Sequence, residues 1–290
     1  MKKFWKSLGK GLFYAVIPLL AQVLAGFLLV LAAACMVLAA RPELIVKGGG
    51  ALRGEVSAAM VELLAPGANG MLWAILTANL GAVLLVWFFF HLGKKRFFRE
   101  IRLVPTSRHN LIGALLYGLS LSVVVGSLTE LIPFPEELMD SFTQSHGELV
   151  GHPGLLPLLT VGFVAPLTEE IFFRGLVYTR LRQGMAVLPA MVLSALLFGL
   201  AHGEPIWILI AFLSGLGLVW IFECTGSLWC AILAHGVNNV IAQTLTMELS
   251  FPAELALTLC CGGLMVLVIR DLKQENAGSP VKRPVAGRED

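Results

Sequence analysis

Two carboxylates, two imidazoles, a carboxamide and a guanidinium interrupt stretches of this 290-residue chain that are otherwise apolar. Glu169, Glu170 and Arg174 lie in Ala165-Pro-Leu-Thr-Glu-Glu-Ile-Phe-Phe-Arg174-Gly, His202 closes Phe198-Gly-Leu-Ala-His202, and His235 opens His235-Gly-Val-Asn-Asn239. A carboxylate or an imidazole can draw a proton from water, and an imidazole or carboxamide can donate to an oxygen on which negative charge develops. Together these groups are equipped for hydrolysis of an acyl compound. Glu169, His202 and His235 also carry the donor atoms of a catalytic zinc with an open position, although the chain has no H-E-x-x-H helix.

Spacing sorts the charges. Glu170 and Arg174 are four apart on a helix, share a face and can form an ion pair. Glu169 points about a quarter-turn or more away, so its partners must come from other helices. Asn239 lies four residues after His235 and shares its face. An ionised side chain at mid-bilayer costs about 2.5–3.5 kcal/mol unless it is paired or wet. Three in one segment must therefore face the protein interior. Taken singly, a membrane histidine is more often a packing residue, and Asn239 is adequate glue between helices; the combination is what points to chemistry.

The elements that hold these groups are membrane helices. The chain is 57% hydrophobic and 14% charged, with a mean hydropathy of +0.82, where a soluble domain carries about a quarter charged residues. Eight runs approach the length that crosses about 30 Å of hydrocarbon: Gly11–Ala40, Gly70–Leu92, Asn110–Leu131, Leu155–Leu181, Ala186–His202, Ile206–Glu223, Leu228–Thr246 and Ala253–Ile269. The expected fold is all-α, a polytopic membrane helical bundle of about eight transmembrane helices. Residues 1–154 would supply three spans and an interfacial segment (Leu44–Pro66, after a Gly48-Gly49-Gly50 hinge), 155–270 the site-bearing bundle, and 271–290 a disordered polar tail. The first run is too long for a signal peptide and reads as a span.

Basic residues fall in alternate loops. Lys2, Lys3, Lys6 and Lys10 precede the first span, Lys94, Lys95, Arg96, Arg99, Arg102 and Arg108 follow the second, Arg180 and Arg182 the fourth, and Arg270, Lys273, Lys282 and Arg283 the last. The positive-inside rule predicts a multi-pass protein of the cell membrane with both termini cytoplasmic; Arg41, Lys47 and Arg53 count modestly against it. A net charge of +2 without a basic stripe excludes a nucleic-acid partner. Five cysteines without a C-x-x-C pair give neither a disulfide scaffold nor a zinc knuckle and read as packing residues. Ala211, Ser214, Gly215 and Gly217 read as a close-packing face.

Glu169-Glu170-x-x-x-Arg174, Phe198-x-x-x-His202 and His235-x-x-x-Asn239, in this order on separate helices, resemble the motifs E-E-x-x-x-R, F-x-x-x-H and H-x-x-x-N/D of the CPBP (CAAX protease and bacteriocin-processing, Abi) group of intramembrane proteases. The resemblance covers about Gly162 to Ala242. It implies a CAAX prenyl endopeptidase-like membrane protease, with a membrane-associated protein or peptide as substrate and the lipid bilayer as its medium. Glu169 would act with His202 to activate water, His235 and Asn239 would stabilise the oxyanion, and Glu170 and Arg174 would support them. Because the family is described both as metalloprotease and as glutamate protease, zinc on Glu169, His202 and His235 stays open beside the favoured metal-free mechanism. Two other functions fit the same residues: a non-catalytic bacteriocin-immunity or binding protein of the same fold, and a transporter with a buried proton relay.

Overall fold

A computed structural model describes residues 1–47, 49–64, 69–150, 154–245 and 249–277. In hydrocarbon the backbone must satisfy its own N–H and C=O groups, which drives apolar runs into helices. They are α1 (Lys2–Ala40), α2 (Leu44–Lys47), α3 (Gly49–Leu64), α4 (Gly70–Leu92), α5 (Phe97–Glu100), α6 (Arg108–Leu131) and α7 (Glu136–Val150). There follow α8 (Leu155–Leu181), α9 (Val187–Leu200), α10 (Pro205–Thr225), α11 (Leu228–Thr244) and α12 (Phe251–Glu275). The protein is a helical, polytopic membrane bundle, with no strand among the described residues.

Six helices, α1, α4, α6, α8, α10 and α12, are long and apolar enough to cross a membrane. The other two predicted spans are shorter. Helix α9 has 14 residues and α11 has 17, about 21 and 26 Å at 1.5 Å per residue. Helix α9 stops early because the chain reverses at Gly203, whose φ of 77° favours glycine. Glu204 then caps α10, its carboxylate accepting from the Trp207 N–H at 2.8 Å. His202 consequently stands in a turn rather than inside a span.

Three further expectations change. The predicted interfacial segment is two helices, α2 and α3; α3 lies along α1 and buries none of its own side chains. Gly49 and Gly50 are helical rather than a hinge, while Gly48 and residues 65–68 lie outside the described residues. The segment between the third and fourth expected spans contains a further helix, α7. At the C-terminus α12 runs to Glu275, past the expected start of the tail at Asp271, because Leu272 is wholly buried against Gly113 of α6; residues 278–290 lie outside the description.

Burial separates a lipid-facing layer from an interior. Helix α1 buries only Ser7, Gly11, Ala15 and Ala33 and exposes Phe13, Val23 and Phe27. The second half of α8, from Ile171 to Leu181, is buried throughout. Close approach depends on glycine at a few places: a Cβ on Gly118 of α6 would meet the Ala234 carbonyl of α11, and one on Gly215 would meet Phe198 and Ala195 of α9. Gly217 packs on the Tyr117 hydroxyl in the same way, so the small residues of α10 do form a packing face. Helices α1 and α4 pack on α8, and α6 packs on α11 and α12, so helices from both sides of residue 154 share their cores.

Candidate active site

The helix that carries the carboxylates is irregular where it matters. Leu158–Val164 and Ile171–Tyr178 are wound as wide π-helical turns, with α-helical Ala165–Glu170 between them. Pro166, at the start of the middle part, has no N–H to give to the turn before it, and the winding changes there. One carbonyl of the preceding π-turn is used from another helix: Val161 O accepts from Asn239 Nδ2 of α11 at 2.9 Å.

One turn further on, Glu170 and Arg174 form the predicted ion pair, wholly buried, with Arg174 Nη1 2.8 Å from Glu170 Oε1. The other end of the guanidinium is held by two helices. Its Nη2 donates to the Gly215 carbonyl of α10 at 3.3 Å, and its central carbon lies 4.3 Å from the centre of the Phe198 ring of α9. Arg174 thus ties α8 to α9 and α10. Ser194 adds a second tie between α8 and α9, donating to the Phe173 carbonyl at 2.8 Å.

The same Glu170 oxygen holds an imidazole. His235 Nδ1 lies 2.9 Å from Glu170 Oε1; a carboxylate there keeps the proton on Nδ1 and turns Nε2 away from it. His235 Nε2 is 3.8 Å from Glu169 Oε2, too far for a direct hydrogen bond and close enough for one water to touch both. Exposure distinguishes the neighbouring carboxylates: the Glu170 side chain is 0% exposed and that of Glu169 is 26%. Glu170 is engaged by Arg174 and His235, whereas Glu169 stays partly accessible.

Four of the six residues singled out in the sequence therefore meet: Glu169, Glu170, Arg174 and His235. Asn239 joins through α8, where its Nδ2 engages Val161 and its Oδ1 accepts from Asn238 at 2.9 Å; the second N–H on Nδ2 is unused by those two bonds. His202 stands further off. Its Nδ1 is 2.9 Å from the Phe198 carbonyl, and no hydrogen bond or ion pair joins it to Glu169 or His235 among the described residues. It is linked through the Phe198 ring, which meets His202 and His235 edge-on at centroid distances of 4.9 and 5.8 Å.

The donors named for zinc do not close around one point. No three His, Cys, Asp or Glu side chains are grouped to hold a metal ion among the described residues, and the Nδ1 side of His235 is occupied by Glu170.

Two features of the site carry no warning in the sequence. The Val161 and Gly215 carbonyls become side-chain acceptors only because of π-winding and close packing. Trp207, in the first turn of α10, lies near-parallel to His202 at 6.5 Å, donates from Nε1 to Ser145 Oγ at 3.2 Å and packs on Phe142. That brings α7 beside His202.

Residues 151–241 match the family described as Rce1-like, type II CAAX prenyl endopeptidase. YdiL of Bacillus subtilis (strain 168), whose name describes it provisionally as a membrane peptidase, is 25% identical over 93 residues, covering 32% of this chain and 38% of its own. The match thus spans well under half of that relative. No solved structure matches. All six residues of the cluster and both ring neighbours lie within the matched segment, so over residues 151–241 the chain is similar to this family of membrane proteases.

Proposed function

We propose that the protein is an intramembrane endopeptidase that hydrolyses a peptide bond of a membrane-associated protein or peptide, with Glu169 as the proton-transferring base. The observation that carries this reading is the 3.8 Å approach of Glu169 Oε2 to His235 Nε2, beside an imidazole held from behind by Glu170. Glu169 takes a proton from a water molecule, aided by His202 from the turn after α9. The water oxygen forms a bond to the carbonyl carbon of the scissile amide, whose electron pair moves onto its oxygen. The second N–H of Asn239 stabilises that oxyanion, joined by His235 Nε2 when the ring, already holding a proton on Nδ1 against Glu170, carries a second one there. As the carbonyl re-forms, the C–N bond breaks and Glu169 returns its proton to the departing amine.

Glu170 and Arg174 act at one remove, fixing the ring of His235. Lipid-facing apolar residues on the same helix, Leu159 and Phe163, suit a substrate that arrives from the bilayer. Prenylated CAAX-type chains and bacteriocin-related peptides are the substrate classes that the family resemblance brings. The site is assigned to a cell membrane in which both termini face the cytoplasm, as the distribution of Lys and Arg predicts.

Membrane-peptide profiling of cells carrying wild type or Glu169→Gln tests the reading. The variant should insert and fold normally and leave uncleaved a membrane peptide that wild type cuts. Identical peptide profiles from the two would refute it; full biological activity of the variant would instead favour a binding or immunity protein, and proton-coupled flux in vesicles a transporter.

A further inference from the structure

The basic residues at the start of α1 are not simply scattered along a membrane face. Ser7 and the Lys3 carbonyl approach Gly184, just past α8, and Gly11 packs on Leu181 of α8. The Arg180 guanidinium lies 5.9 Å from the Tyr14 ring of α1 and 6.0 Å from the Phe90 ring of α4, so this docking brings Lys10 into electrostatic range of Lys6, Lys95 and Arg180. The turn after α4 is closed by the Lys95 N–H donating to the Phe90 carbonyl at 2.9 Å, with Lys94 at a φ of 52°, a region that non-glycine residues seldom enter. Cations from α1, the α4–α5 turn and the end of α8 therefore converge.

Their charge is not cancelled. Among the described residues Glu100 is the one acidic group acting on Lys10, and Arg180 already holds it at 2.9 Å. Lys6, Lys10 and Lys95 are exposed, and none of them forms an ion pair among the described residues. Beside them the protein surface turns apolar: Trp5, Phe13, Phe89, Leu92 and Phe98 are each more than half exposed. A cationic triad bordering exposed aromatic and aliphatic surface is complementary to a phosphate with hydrocarbon attached, whereas a free anion would leave that surface unused.

We propose that Lys6, Lys10 and Lys95 form a binding site for the headgroup phosphate of an anionic phospholipid, whose acyl chains lie along α1 and α4. Bound there, the headgroup bridges α1, the α4–α5 turn and the Arg180 end of α8. Glu169 lies eleven residues earlier on that same helix, about 16 Å away at an α-helical rise.

The test is lipid binding to the full-length protein in detergent, read by native mass spectrometry with phosphatidylglycerol against phosphatidylcholine. Each lysine near an anionic headgroup is worth about fivefold in affinity. Lys6/Lys10/Lys95→Gln should therefore lower the phosphatidylglycerol preference at least about tenfold, while the charge-matched Arg108/Arg270/Lys273→Gln protein keeps it. The single Lys95→Gln should fall between, and helix content by circular dichroism confirms that each variant is folded. Equal loss in both triple variants would mean general surface charge and overturn the proposal. Displacement of the lipid by an equal concentration of inorganic phosphate would do the same, by showing a free-anion site.

Discussion

Arg174→Met tests the central packing argument most directly. The guanidinium is buried, 2.8 Å from Glu170 Oε1, 3.3 Å from the Gly215 carbonyl and stacked on Phe198. Two unit charges at that separation attract by about 6 kcal/mol at an effective dielectric of about 20. Removing Arg174 leaves Glu170 buried with His235 as its remaining partner, so the expected loss is about 3–5 kcal/mol. Removing both charges leaves no buried ion; Glu170→Gln/Arg174→Met should therefore be more stable than Arg174→Met alone, losing about 1–3 kcal/mol for the Gly215 carbonyl left without its donor. The double-mutant cycle should give a coupling of at least about 2 kcal/mol. Unfolding of the full chain in mixed micelles with increasing sodium dodecyl sulfate, followed by tryptophan fluorescence, measures all four corners. Additive losses in the two single variants, or a loss below about 1 kcal/mol for Arg174→Met, would refute the claim that this ion pair locks α8 to α9 and α10.

Other expectations follow from the same geometry. Asn239→Ala should lower kcat by about 10²–10³ if its free N–H supports the oxyanion, and the Val161 carbonyl left behind should cost about 1–3 kcal/mol in unfolding; unchanged turnover would remove Asn239 from the mechanism. Gly118→Ala places a Cβ against the Ala234 carbonyl and should destabilise the α6–α11 contact by about 1–3 kcal/mol, against no measurable change for the unopposed Gly126→Ala. Asp271→Asn breaks the exposed His109–Asp271 contact of 2.6 Å and should shift stability by less than about 1 kcal/mol; a larger shift would make this contact a structural latch. Cleavage by the purified protein should continue after dialysis against a strong chelator, and loss of activity restored by zinc would overturn the glutamate–histidine assignment.

Much of the site was legible before any coordinates because charge inside apolar sequence is conspicuous. Glu170 and Arg174 were paired by helical spacing alone, and the pair forms as expected. The separation of Glu169 from Glu170 also follows from spacing, since adjacent residues on a helix cannot face the same way. The extent of α8 was equally plain, Leu155 to Leu181 in sequence and in structure, because its ends are marked by glycine and arginine.

What composition could not supply is which helices meet. That His235 Nδ1 takes Glu170 while its Nε2 faces Glu169 depends on α11 crossing α8 at one height, and that crossing is close at Gly162 and Gly236, whose contacts are remote in sequence. The shortness of α9 follows from a single left-handed residue, Gly203, which apolar content does not reveal. Likewise the Val161 and Gly215 carbonyls are invisible in the sequence because every residue has one. Residue types and their periodicity determined that polar groups must turn inward from lipid; only the packing of one helix on another decided which of them meet.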